Sequence, residues 1–173
     1  KVVSKLGAIN KNVTHVIYLS GNPFGRFDQG IRQQRRYALQ GKVSSEAAQR
    51  RIDSLYDIMR DVYANRNDDN NRRLGDSYKS IVSFSEPLLP YLLRIPVPLF
   101  VGYGTDDITS DFCDLLPLEF TRNGKNNLTL APYLDCDHNF NRIKYDEQGK
   151  EAFREELWDR VANDFFNWLA RSR

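Results

Sequence analysis

The spacing of hydrophobic positions along this chain changes several times, and each change marks an element. Val2, Val3, Leu6 and Ile9 in "KVVSKLGAIN" recur at helical spacing, and the stretch reads as the later half of a helix. "VTHVIYLSG" (13–21) carries apolar residues on both alternating faces, as a parallel strand covered on each side does, and "NPFG" breaks it. "RFDQGIRQQRRYALQGK" predicts a helix ending near Gly41. "SSEAAQRRIDSLYDIMRDVYANR" predicts a stronger one, capped by Ser44 or Ser45, with Ile52, Leu55, Ile58, Met59 and Val62 as one apolar stripe. A polar break, "NDDNNRRLGDS", separates it from a third helix beginning about Tyr78, and "SEPLLPYLLRIP" reads as a short helix or turn. "VPLFVGYG" (97–104) and "NNLTLAPYL" (126–134) are the second and third strands. "EAFREELWDRVANDFFNWLARSR" predicts one long amphipathic helix whose buried stripe is Phe153, Leu157, Val161, Phe165 and Trp168 or Leu169.

The order is then helix, strand, helical insertion, strand, loop, strand, helix. This alternation predicts an α/β fold with a mostly parallel sheet and flanking helices. Right-handed crossovers place the carboxyl ends of parallel strands on one edge, where ligands of such sheets bind.

Composition narrows the partners. With 173 residues the chain suffices for one domain, and 40% hydrophobic and 28% charged residues are ordinary for a soluble globular protein. No apolar run reaches the roughly 20 residues that a membrane helix needs. A net charge of +2 gives no electrostatic reason for a nucleic-acid or anionic-membrane partner. Between Gly21 and Pro96 there are 13 Lys and Arg against 9 Asp and Glu, the composition of a solvated helical surface with a mild bias toward anions. Two cysteines, Cys113 and Cys136, make neither a disulfide framework nor a zinc motif. Each follows a strand, so a bridge and two free thiols are both open, and no compartment is assigned. Lys1 has no Met before it and no signal-peptide pattern after it.

The candidate chemistry lies at the ends of two strands. Asp106 and Asp107 follow the second strand in "GYGTDD", and His138 follows the third in "LDCDHNF". On neighbouring parallel strands both groups hang over one sheet edge. There an acid accepts a hydrogen bond from one imidazole nitrogen and stabilises the imidazolium formed when the other takes a proton. Such a pair activates a nucleophile but is not one.

These residues carry a resemblance. The layout resembles the C-terminal half of an α/β-hydrolase, a family with a Gly-x-x-Asp turn after the penultimate strand and a histidine after the last. Gly104-Thr105-Asp106-Asp107 matches the turn, with Asp107 as the acid and Asp106 as the fallback. "CDHNF" matches the histidine loop, and a closing helix follows His138. The resemblance implies core segments 1–21 and 95–173 and a helical lid inserted at 22–94. It implies a Ser-His-Asp hydrolase of ester, thioester or amide bonds that needs no cofactor or metal and acts on a small acyl substrate. Ser20, Gly21 and Phe24 would line the pocket. The nucleophile elbow and oxyanion hole would lie upstream of Lys1, so the chain alone is expected to be inactive. The missing N-terminal segment would be its partner, and the exposed sheet edge an invitation to homodimerise.

Other readings compete. Ser20 ends a strand but lacks the first glycine of an elbow, and Cys113 and Cys136 are further candidate nucleophiles. Asp135, Asp137 and His138 with Asp106, Asp107, Asp111 and Asp114 form an oxygen-rich set that suits a metal-dependent hydrolase. A non-catalytic, ligand-binding relative is another alternative. His15 reads as a structural histidine within the first strand, and Asn12 and Asn127 match the glycosylation pattern.

Overall fold

The structure, a computed structural model, describes residues 1–172. In chain order the elements are α1 (Val2–Ile9), β1 (Val16–Leu19), α2 (Arg26–Leu39), α3 (Ser45–Ala64), β2 (Arg72–Arg73), β3 (Asp76–Ser77), α4 (Tyr78–Ser85) and α5 (Leu89–Arg94). Then come β4 (Leu99–Gly104), a 3-10 turn (Asp111–Leu115), α6 (Leu116–Arg122), β5 (Leu128–Tyr133), β6 (Asn141–Tyr145), β7 (Glu151–Glu156) and α7 (Trp158–Arg171). The fold is mixed α/β. The chain forms two compact units, Lys1–Pro23 with everything from Leu88 onward, and Phe24–Pro87.

The first unit is built on a parallel sheet of order β1-β4-β5. Tyr18 pairs with Val101, and Val101 with Leu130. All six residues of β4 are buried, which explains their near-continuous apolar run: a central parallel strand is covered on both faces. Leu99, Val101 and Tyr103 share one core cluster with Val16, Leu92, Ile95, Cys113, Leu116 and Phe120. The connection from β4 to β5, read from sequence as a loop, is instead a 3-10 turn and helix α6. Parallel neighbours need a long crossover. Its signals stand in the sequence, with Pro117 in the first turn of α6 and Gly124 at φ 65° past its end.

Two other expectations are corrected. The helix expected from Glu151 begins only at Trp158, because 151–156 forms β7 and pairs antiparallel with β6. The turn between them is set locally. The Asp146 carboxylate accepts the amides of Gln148 and Lys150 at 3.0 and 2.8 Å, and Gly149 takes φ 76°. Arg142 then meets Glu155 across the pair at 2.8 Å. Phe153 is therefore 47% exposed on the hairpin, while Leu157 and Val161 are buried with Tyr133, Cys136 and Phe140. Trp168 donates to Thr129 Oγ1 at 3.0 Å, which fastens α7 to β5. The expected stripe of α1 is likewise not its packing face. Val2 and Ile9 are 69% and 71% exposed, whereas Ser4 and Gly7 are buried. A Cβ on Gly7 would lie 2.6 Å from Val16 Cγ2, so α1 approaches β1 along its small residues.

The second unit is helical. Ser44 caps α3 by accepting the Ala47 amide at 3.1 Å, and Ser77 caps α4 through the Ser80 amide at 3.3 Å. Its core is Phe27, Val62 and Ile81, packed with Leu55, Ile58 and Met59 of the expected stripe. No helix among the described residues is long and apolar enough to cross a membrane.

The hairpin assignment separates two phenylalanines. Phe153→Ala should change stability by less than about 1 kcal/mol, whereas Phe120→Ala, in the core, should cost about 3–5 kcal/mol. Urea unfolding measures both, and a core-sized loss at Phe153 would return that segment to the buried face of a helix.

Candidate active site

The three strands of the parallel sheet end together. Beyond β4 the chain turns at 104–110, and beyond β5 it turns at 134–140. The two turns interlock through the main chain. Thr105 N–H donates to Tyr133 O at 3.0 Å, and Asp106 N–H donates to Cys136 O at 2.9 Å. Thr105 Oγ1 accepts the Asp135 amide at 2.9 Å. Gly104 makes this approach sterically feasible, because a Cβ there would lie 2.2 Å from Cys136 O and 2.4 Å from Asp137 O. Those are main-chain atoms that cannot step aside.

This contact brings His138 to Asp107. His138 Nδ1 lies 2.8 Å from Asp107 Oδ2. The carboxylate is buried, with its side chain 2% exposed, and the imidazole is 56% exposed. Three further donors converge on Asp107. The Thr109 amide and hydroxyl reach Oδ1 at 2.8 and 2.7 Å, and the Ser110 hydroxyl reaches Oδ2. Thr109 Oγ1 also lies 2.9 Å from His138 Nδ1. Since the Thr109 hydroxyl proton is directed to Asp107, its oxygen accepts from the imidazole. Both neighbours of Nδ1 are acceptors, so Nδ1 carries the proton. Nε2 has no hydrogen-bond partner among the described residues.

Backbone strain gathers here. Among the described residues four non-glycines have positive φ: Ser20, Leu74, Asp135 and Phe140. Asp135 (59°) and Phe140 (57°) bracket the histidine turn. Inside it, Asp137 Oδ1 accepts the amides of Asn139 and Asn141, each at 2.8 Å. Phe140 is fully buried, with its ring edge-on to Tyr133 at 5.2 Å and to Trp158 at 5.0 Å. Ser20, at φ 46°, ends β1, and its hydroxyl donates to the His138 carbonyl at 2.8 Å.

The sequence candidates sort themselves by this geometry. Asp107 and His138 are brought together, while Asp106 is exposed and contributes its amide to the turn. Ser20 and Gly21 lie at the end of β1, and Phe24 belongs to the helical unit. Ser20 is hydrogen-bonded to the main chain of His138, not to its ring. Gly21 O accepts from Cys113 Sγ at 3.2 Å. Cys113 and Cys136 are free and buried, with no bridge between them. Burial pushes both thiols up, and for Cys113 the carboxylates of Asp114, Asp107 and Asp111 add to it. Neither has the character of an activated nucleophile. Among the described residues no three His, Cys, Asp or Glu side chains are placed to hold a metal ion, the oxygen-rich set of the sequence included. His15 is structural, between Thr14 Oγ1 and Ser172 O and edge-on to Trp168. The Asn127 amide donates to the carbonyls of Ile95 and Val97 at 3.1 and 2.6 Å, a commitment that opposes its modification by a glycan.

Sequence reasoning passed over Gly104 as a packing requirement and Thr109 and Ser110 as partners of the acid. The second had a signal: hydroxyls two and three residues after an Asp commonly bond back to its carboxylate. No protein-family model matches the chain, and no curated protein matches it significantly.

Gly104→Ala should separate the two turns, destabilise the unit by about 1–3 kcal/mol and remove the protected His138 Nδ1–H signal in imidazole NMR. A retained signal would mean that the main chain yields where the contact distances say it does not. Both thiols should resist Ellman's reagent at mildly alkaline pH while the urea-unfolded chain titrates fully. Rapid reaction of the native protein would contradict their burial.

Proposed function

We propose that this chain carries the acid–base half of a serine hydrolase acting on ester, thioester or amide carbonyls. One observation carries the reading. A buried, multiply hydrogen-bonded Asp107 holds Nδ1 of His138, whose ring is exposed and whose Nε2 has no partner among the described residues. In this reading a serine upstream of Lys1 attacks the acyl carbon, and His138 Nε2 takes its proton. His138 then returns that proton to the leaving group. Asp107 fixes the tautomer and stabilises the imidazolium. The hydroxyls and thiols beside the pair support an external nucleophile. Ser20 is bonded to a carbonyl, Ser110 to Asp107, and both cysteines are buried.

The α/β-hydrolase resemblance supports the same roles in the same chain order. It extends to the helical unit, whose insertion in the sequence between β1 and α5 supports reading it as a substrate-selecting lid. The substrate class is a small acyl compound, and no cofactor takes part in the chemistry.

The test uses the complete reading frame. A fluorophosphonate probe should label a serine shortly before Lys1, with the adduct mapped by mass spectrometry. In that protein His138→Ala and Asp107→Asn should each lower kcat by about four orders of magnitude. An adduct on Ser20 would move the nucleophile into this chain, and no adduct would favour a non-catalytic binding protein.

A further inference from the structure

We infer that Ser20 is a positioning residue for His138, holding the main chain of the histidine against the end of β1. The inference rests on the acid–base reading of Asp107 and His138. Ser20 lies in the left-handed region at φ 46°, where a serine is less comfortable than a glycine. Its amide donates to Gly102 O at 2.8 Å and continues the β1–β4 ladder by one residue. Its hydroxyl donates to His138 O at 2.8 Å. One residue therefore joins the sheet to the histidine.

The rest of the turn is fixed around His138, not at it. Asp137 binds the amides of Asn139 and Asn141, and Cys136 O accepts from Asp106. The main chain of His138 makes a single hydrogen bond among the described residues, the one from Ser20. Without it the hydrogen bonds that His138 itself makes, among the described residues, are those of its ring to Asp107 and Thr109. A glycine at position 20 would relieve the left-handed strain but lose this bond. Strain kept beside a candidate site, with a side chain that uses it, is the pattern expected of a positioning role.

The experiment is ¹⁵N imidazole NMR on this chain, which has only two histidines, His15 and His138. Native His138 should show a single Nδ1–H tautomer with a slowly exchanging ring proton. In Ser20→Ala and Ser20→Gly, exchange of that proton should quicken roughly tenfold, the loss expected for one hydrogen bond. The thermal midpoint of Ser20→Gly should fall less than that of Ser20→Ala, because glycine accepts the left-handed φ without a Cβ penalty and so offsets part of the lost hydrogen bond. Equally fast exchange in two variants of unequal stability separates positioning from general loosening. If exchange is unchanged in both variants while native His138 is fixed, Ser20 has no positioning role and the Asp107–His138 pair stands. If exchange quickens only in proportion to a fall in stability, the role is merely structural and the inference fails. If native His138 itself averages between tautomers, the acid–base reading falls and Ser20 with it.

Discussion

Everything at the sheet edge depends on a missing side chain. The carbonyls of Cys136 and Asp137 come closer to residue 104 than any Cβ would allow. That proximity lets Asp106 bond Cys136 O and Thr105 bond Tyr133 O. It thereby determines that the turn after β5 lies on the turn after β4. The 2.8 Å bond from His138 to Asp107 is a consequence of this backbone packing. Side chains alone could not bring the two residues together against the conformational entropy of two free turns.

The interlocked turns carry a cost. Left-handed non-glycine residues cost on the order of 1–3 kcal/mol each, and Ser20, Asp135 and Phe140 all lie in or against the histidine turn. Several interactions offset that cost. Asp137 satisfies two amides, Phe140 is buried between Tyr133 and Trp158, and Leu157 N–H reaches Phe140 O at 3.0 Å. The last bond ties the histidine turn to the start of α7. The long closing helix of the sequence reading is thus shorter, and its first turn anchors the site.

Burial divides the polar groups by role. Asp107 and Ser110 are buried and paired with each other, whereas His138 is exposed. The buried carboxylate holds one ring nitrogen through a hydrogen bond, while the exposed ring leaves the other open to solvent. Cys113 shares the buried layer, and burial, with the neighbouring carboxylates added, raises its thiol, so it packs as a small apolar residue.

The sequence by itself determined the elements whose signals are local. The run 97–104 read as a strand because its apolar residues are those of β4, which is covered on both faces, and Ser44 or Ser45 read as a cap, a role the Ser44 hydroxyl takes at the amide of Ala47. Asp107 and His138 were legible as a pair because parallel strands bring their ends to one edge. What depends on contacts distant in sequence was decided only by the tertiary structure. The stretch 151–156 has helix-compatible spacing until β6 pairs with it, and α1 presents its small residues to β1 although its large apolar residues set the helical pattern. Gly104 and Ser20 look like ordinary turn residues until the histidine turn, more than thirty positions further along for Gly104 and more than a hundred for Ser20, lands on them. Periodicity records which face a residue takes, but not which backbone will arrive against it, and the candidate site is made by that arrival.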